Sequence, residues 1–209
     1  MMRLYGFPYS TNMERVQLAL AHKDLDAEYV EVPVDDRTAV REVSGQDLVP
    51  VLVNEGTVVF DSPRIIEYLD REFPVPPLFP PGHGRRAEMV VFIDWFNRVW
   101  KVPPNAIEAE LGKREPDQVR IAAWRQQMFD ALHIFDDMLA GRDYLMGEFS
   151  AADCIAWPFL RYAAIIPDED DTYLFHRILT ESMPLGTEHR RLEDWIHRVA
   201  EHPMSPAIG

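Results

Sequence analysis

Five prolines fall within eight residues, Pro74, Pro76, Pro77, Pro80 and Pro81, and no helix or strand runs through such a density. Each proline lacks the N–H that a backbone ladder needs, and its ring fixes φ. Residues 74–84 therefore form an extended linker, and the patterning differs on its two sides. Before it, short apolar runs alternate with helical periodicity; beyond it, the spacing is helical almost throughout. The 209-residue chain thus reads as two domains, 1–73 and 85–209.

In the first domain Leu4 and Tyr5 make an apolar run that breaks at Gly6 and Pro8. Val16, Ala19 and Leu20 then share one face of a helix over 13–23. Thr11 stands before that helix with Glu14 at capping-box spacing, which leaves Ser10 just outside. A helix N-terminus carries partial positive charge and unpaired N–H groups, so an anion such as a thiolate is favoured beside it. Ser10 can donate to that anion, or can simply cap the helix or close the turn. Residues 28–32 alternate as a strand, and 38–43 suit a short helix. Val51-Leu52-Val53, Asn54-Glu55-Gly56 and Thr57-Val58-Val59-Phe60 read as a hairpin. Ser62 as cap and Pro63 as first helical residue open a helix through Ile65, Ile66 and Leu69. The order strand, helix, strand, helix, strand, strand, helix is that of a small α/β sandwich.

The second domain reads as a helical bundle. A helix over 85–100 carries Met89, Phe92, Ile93, Phe96 and Trp100 on one face and ends at Pro103-Pro104. A long amphipathic helix follows over 117–139, stopped by Gly141, and further helices are expected over 151–165, 171–180 and 188–201. Ser150 and Asp153 have capping-box spacing, with Phe149 and Cys154 at the positions of a hydrophobic staple. Cys154 is the only cysteine, so the chain has no internal disulfide and no dithiol couple, and Cys154 reads as a core residue.

The net charge of -14 excludes nucleic acid and anionic membranes as partners, since both select basic surfaces. An anionic ligand would need a local basic group. No apolar run reaches membrane-spanning length and the opening lacks a signal-peptide pattern, so the cytosol is the expected address.

Four marks stand in order: Gly6-Phe7-Pro8-Tyr9-Ser10 before a helix, Val49-Pro50 before a strand, Asp61-Ser62 before Ile65-Ile66-Glu67-Tyr68-Leu69, and Ser150-Ala151-Ala152-Asp153 at a helix start. Together they resemble the cytosolic glutathione S-transferases over the whole chain, most closely the serine-using, bacterial-like members. The resemblance implies a thioredoxin-like α/β N-terminal domain joined to an all-α helical-bundle C-terminal domain. The first turn also resembles the Cys-Pro-Tyr-Cys site of glutaredoxins, with Phe7 and Ser10 in the cysteine places, so no disulfide chemistry runs there.

The resemblance also implies the site. Ser10, or alternatively Asn12, would hydrogen-bond the glutathione thiolate. The Val49-Pro50 bond would be cis, turning the Val49 peptide toward the cysteinyl backbone of glutathione. Asp61 and Ser62 would hold the γ-glutamyl end. Leu48 departs from the family, where lysine or glutamine is common; Arg37, Arg41 or Gln46 would then anchor the glycyl carboxylate, and Arg37 is favoured. Phe7 or Tyr9, with Phe96 and Trp100, would line a pocket for an apolar electrophile. The implied protein is a homodimeric detoxification enzyme paired through 65–71 and 85–100, with glutathione as co-substrate and neither metal nor further cofactor. Two alternatives stay open because of Leu48: a non-catalytic binding or carrier protein of the same fold, and a transferase using another small thiol.

Overall fold

The computed structural model describes residues 1–167 and 170–205. Contacts divide the chain into two units, Met1–His83 with the chain from Glu201 on, and Gly84–Ala200.

The first unit runs β1 (Arg3–Gly6), α1 (Thr11–His22), β2 (Glu28–Glu31), α2 (Thr38–Ser44), β3 (Val51–Asn54), β4 (Thr57–Phe60) and α3 (Ser62–Glu72). The sheet order is β2-β1-β3-β4. β1 and β2 are parallel, which the crossover through α1 makes possible, and the other pairings are antiparallel. Glu55 and Gly56 adopt φ of 50 and 86, the left-handed pair that closes a two-residue hairpin beyond Asn54 and Thr57. Strand alternation sends Tyr5, Val51 and Val53 to one face, where they pack with Val32 and with Val40 of α2. Leu4 and Leu52 face the other way and are also fully buried, so the sheet is covered on both sides.

The proline-rich stretch expected as a linker is held onto this unit. The buried Lys23 ammonium donates to Asp70 Oδ1 (3.0 Å) and to the carbonyls of Phe73 (2.7 Å) and Pro76 (2.8 Å). Asp70 Oδ1 also accepts from Leu78 N (2.7 Å). Three donor groups of one lysine thus fix a segment whose own backbone can form no ladder.

The second unit contains α4 (His83–Trp95), a π-helical turn (Phe96–Trp100), α5 (Val102–Leu111), α6 (Gln118–Asp130), α7 (Leu132–Met138), α8 (Ala151–Leu160), α9 (Leu174–Ser182) and α10 (Arg190–Ala200). Several boundaries correct the sequence reading. Pro103 and Pro104 end one helix but also sit in the first turn of α5, where no intrahelical N–H is lost. The helix expected over 117–139 breaks at Ala131, where Ile134 N bonds the carbonyl of Ala131 three residues back (3.1 Å), a 3₁₀ step that separates α6 from α7. The 151–165 helix tightens to 3₁₀ at Arg161–Ala163. The one expected from 171 starts at Leu174, because Asp171 Oδ1 accepts from Tyr173 N (3.0 Å) in a local turn.

Among the described residues no helix is long and apolar enough to cross a membrane. The aromatic core of this unit is a set of touching rings. Phe96 and Trp100 stack at 4.5 Å, and Phe135 and Phe159 meet them edge-on.

Asp153 is the polar centre of the unit. Its Oδ1 accepts from Leu145 N (3.0 Å) and Trp195 Nε1 (2.8 Å), and its Oδ2 from Ser150 N and Ser150 Oγ (2.9 Å each). Burial pushes its pKa up to about 6 while all four donors pull it down. The Ser150–Asp153 capping box is thereby closed on both sides, and Phe149 and Cys154 are buried beside it.

Candidate functional site

The turn after β1 is set by two backbone requirements. A Cβ on Gly6 would lie 2.0 Å from Met13 Sδ, so glycine leaves the space in which the Met13 side chain packs against the strand end. Tyr9 then adopts φ 64, and the chain reverses into α1. The helix begins earlier than expected. The Ser10 carbonyl accepts from Met13 N (2.8 Å) and Glu14 N (3.0 Å), and Ser10 Oγ accepts from Met13 N (3.4 Å). Ser10, not Thr11, is the N-cap, and Thr11 and Asn12 are the first two helical residues.

This geometry gives the Ser10 hydroxyl a direction. Its oxygen is an acceptor toward the helix, and among the described residues its proton goes to no acceptor. A hydroxyl has one proton, so Ser10 is a donor facing away from the helix, at the positive end of α1. Asn12 lies half-buried on the same first turn.

The Val49–Pro50 bond is cis. β3 starts at Val51, which leaves the Val49 peptide just outside the ladder. Asp61 takes φ 73, a left-handed value uncommon for a residue with a side chain. Its carbonyl accepts from Ile65 N (3.0 Å), so Asp61 is the N-cap of α3, Ser62 the first helical residue and Pro63 the second, and the helix starts one residue earlier than the sequence suggested. Because Pro63 has no N–H, the first-turn backbone donors here are those of Ser62 and Arg64.

Sequence reasoning missed the residue beneath that turn. Arg15, on α1 and almost wholly buried, donates from Nη1 to Ser62 Oγ (3.3 Å). Burial lowers its pKa to about 9 and the charge of Asp61 opposes that shift, so it is a cation at neutral pH. The signal available was only that Arg15 shares α1 with a run of apolar residues.

At the glycyl end the three candidates differ. Arg41 is paired with Asp47 (2.7 Å). Gln46 donates to Ser44 Oγ (2.8 Å) and the Leu48 carbonyl (2.9 Å) and accepts from Leu48 N (2.6 Å). Arg37 stacks over the Phe7 ring at 4.7 Å, and its Nη1 is buried with no hydrogen-bond partner among the described residues. Leu48 is 77% exposed. Phe7 is half-buried and Tyr9 exposed on the first unit, whereas Phe96 and Trp100 are buried rings of the second.

Two family models match the chain and between them cover most of it: "Glutathione S-transferase, N-terminal domain" over residues 4–77 and "Glutathione S-transferase, C-terminal domain" over 118–198. Glutathione S-transferase Z2 of Arabidopsis thaliana is 36% identical over 90 residues, which are 41% of this chain and only 40% of that protein's length. A stringent starvation protein A homolog of Pasteurella multocida is 29% identical over 167 residues, covering 76% of this chain and 73% of the other. Among solved structures, a glutathione S-transferase from Rhodospirillum rubrum superposes with a TM-score of 0.76 at 27% identity, over 97% of this chain and 89% of that one.

Proposed function

We propose, from the premise that the chain belongs to the glutathione S-transferase family, that it binds glutathione on its first unit and activates the thiol for attack on an apolar electrophile. The observation that carries this reading is the Ser10 hydroxyl, whose oxygen caps α1 and whose proton meets no acceptor among the described residues. A cysteine-like thiol ionises near pH ~8.5, so only a few per cent is thiolate at neutral pH. A sulfur seated beside Ser10 receives the hydroxyl hydrogen bond and the partial charge of the α1 N-terminus, and both favour the anion. The thiol proton leaves to solvent, the sulfur forms a bond to the electrophilic carbon, and the displaced pair leaves with the departing group or moves into the acceptor.

The remaining groups fit the tripeptide in order. The Val49 peptide pairs with the cysteinyl backbone. Ser62 and the α3 N-terminus take the γ-glutamyl carboxylate, with Asp61 near its ammonium. Arg37 takes the glycyl carboxylate, since Arg41 and Gln46 are already engaged. Phe7 and Tyr9 offer aromatic surface to the electrophile. We assign the protein to homodimers through α3 and α4, supported by a shallow depression of about 340 Å³ that Val91, Phe92, Trp95, Ile134 and Met138 help line on the second unit and by Val91 being 68% exposed.

Leu48 favours a second reading, a carrier of the same fold without useful turnover, and a third in which the thiol lacks a glycyl carboxylate. Calorimetric titration with glutathione and with γ-glutamylcysteine, followed by turnover of chlorodinitrobenzene, separates them. The proposed enzyme binds glutathione more tightly than the dipeptide and turns over. Binding without turnover of any electrophile tried supports the carrier; preference for the dipeptide supports the third reading; no binding of glutathione at millimolar concentration sinks the first.

A further inference from the structure

We infer that Arg15 is a positioning residue for the γ-glutamyl carboxylate, acting through the hydroxyl of Ser62. The inference rests on the glutathione reading above and adds to it a residue that lies beneath the site. Arg15 is 1% exposed, so no ligand reaches its guanidinium from solvent. Its reach is through Ser62, whose Oγ accepts from Arg15 Nη1 at 3.3 Å.

The chemistry follows from what a guanidinium cannot do. It has five N–H donors and no acceptor, so an oxygen facing it must be the acceptor, and the single hydroxyl proton of Ser62 must point elsewhere. Among the described residues that proton meets no acceptor. Arg15 therefore fixes Ser62 as an outward donor beside its own N–H, in the first turn of α3. A rotamer with the Ser62 proton turned toward Arg15 would set it against a buried cationic donor and is excluded.

Charge works in the same direction. The field of Asp61 acts on Arg15, and Asp61 stands at φ 73 immediately before Ser62. Without a cation beneath it, an acidic residue at the mouth of an anion site would repel the carboxylate the site is meant to hold. With Arg15 in place, Asp61 is offset from below and stays available to an ammonium. One buried cation thus makes a Ser-Asp pair selective for a group carrying both a carboxylate and an ammonium, which is an α-amino acid head and not a bare anion.

A ligand-by-mutation cycle tests this. Affinities of the full chain are measured for glutathione and for 4-aminobutanoyl-cysteinylglycine, which lacks only the γ-glutamyl α-carboxylate. Arg15→Met is expected to weaken glutathione about tenfold, the worth of a hydrogen bond to a charged group, while leaving the analogue within about twofold. Arg15→Lys, which keeps a buried cationic donor, is expected to restore most of the difference. A purely structural role would weaken both ligands equally and would not be rescued selectively, and that result overturns the inference. If Arg15→Met does not fold, Arg15→Gln takes its place, with a selective loss of at least about threefold expected for a neutral donor; equal binding of the two ligands by that variant and wild type in the same ratio overturns the inference. Glutathione binding to wild type with no coupling to Arg15 removes this inference alone, whereas no binding to wild type removes the glutathione reading and this inference with it.

Discussion

Among the described residues two helices start on a capping serine, and only one of those serines has a proton available to a ligand. At α8, Ser150 receives nothing from outside: its N–H and its Oγ–H both go to Asp153 Oδ2, at 2.9 Å each. At α1, Ser10 accepts from Met13 N, and the residue three places on is that methionine, which offers its proton no acceptor. The same cap is closed by a carboxylate at the third helical position and left open by an apolar residue there. A serine cap becomes chemistry when its proton is unspent. The contrast repeats among the basic groups, where Arg41 is spent on Asp47 while a buried nitrogen of Arg37 is not spent at all.

The hardest way to break the contrast is to open the closed cap. Asp153→Ala leaves the donors of Leu145, Ser150 and Trp195 buried without their acceptor. We expect a loss of about 4 kcal/mol, from unsatisfied buried groups worth roughly 1–3 kcal/mol each, read by denaturant unfolding followed through tryptophan fluorescence. A loss below about 1 kcal/mol would mean that the Asp153 network is not what holds this unit together.

The basic pair gives the next effect. Arg37→Ala is expected to weaken glutathione about tenfold, and Arg41→Ala to change it less than about twofold, since an exposed ion pair contributes little. Calorimetry on both variants checks the pair, and a larger loss for Arg41 would reverse the assignment.

Acid gives the smallest effect. Burial lowers the pKa of His22, with Lys23 and His202 adding to the shift, while Asp70 and a bond to the Pro77 backbone oppose it. Burial also lowers His202, against Glu201. The unfolded chain then takes up protons before the native one as pH falls through 6.5, so these groups make the first unit less stable on acidification. Asp153 runs the other way: its raised pKa means its own contribution grows as pH falls through about 6. Comparing wild type with His202→Gln cancels that second effect. The variant should lose less melting temperature between pH 7.5 and 5.5, and an equal loss would remove the histidines from the account.

Much of this was legible in sequence, for local reasons. The hairpin followed from Asn54-Glu55-Gly56, and the closed cap from Ser150 with Asp153, because each depends on residues within four places of one another. The family marks likewise located Ser10, Val49-Pro50 and Asp61-Ser62 at their turns. The cap of α1 was misplaced by one residue because Ser10 and Thr11 are both good caps, and the left-handed backbone of Tyr9, which precedes the observed cap, is not readable in sequence. α5 was missed because Pro103-Pro104 reads as a stop when it is also permitted in a first turn. Arg15 was not legible at all. Its partner Ser62 is 47 residues away, and an arginine within a helix gives no sign that it is buried.

The central claim is that the unspent proton of Ser10 holds the thiolate. The most direct measurement is the ultraviolet absorbance of bound glutathione thiolate against pH, in wild type, Ser10→Ala and Ser150→Ala. The account predicts that Ser10→Ala raises the bound thiol pKa by about one to two units, the equivalent of roughly 1.5 to 3 kcal/mol for a hydrogen bond to a charge. Turnover at neutral pH should fall with it by roughly ten- to a hundredfold, while glutathione affinity changes little. Ser150→Ala should leave the titration where it is, because its proton was never available. An unchanged titration and rate in Ser10→Ala, with both shifted in Asn12→Ala, would contradict the account and move the role to Asn12.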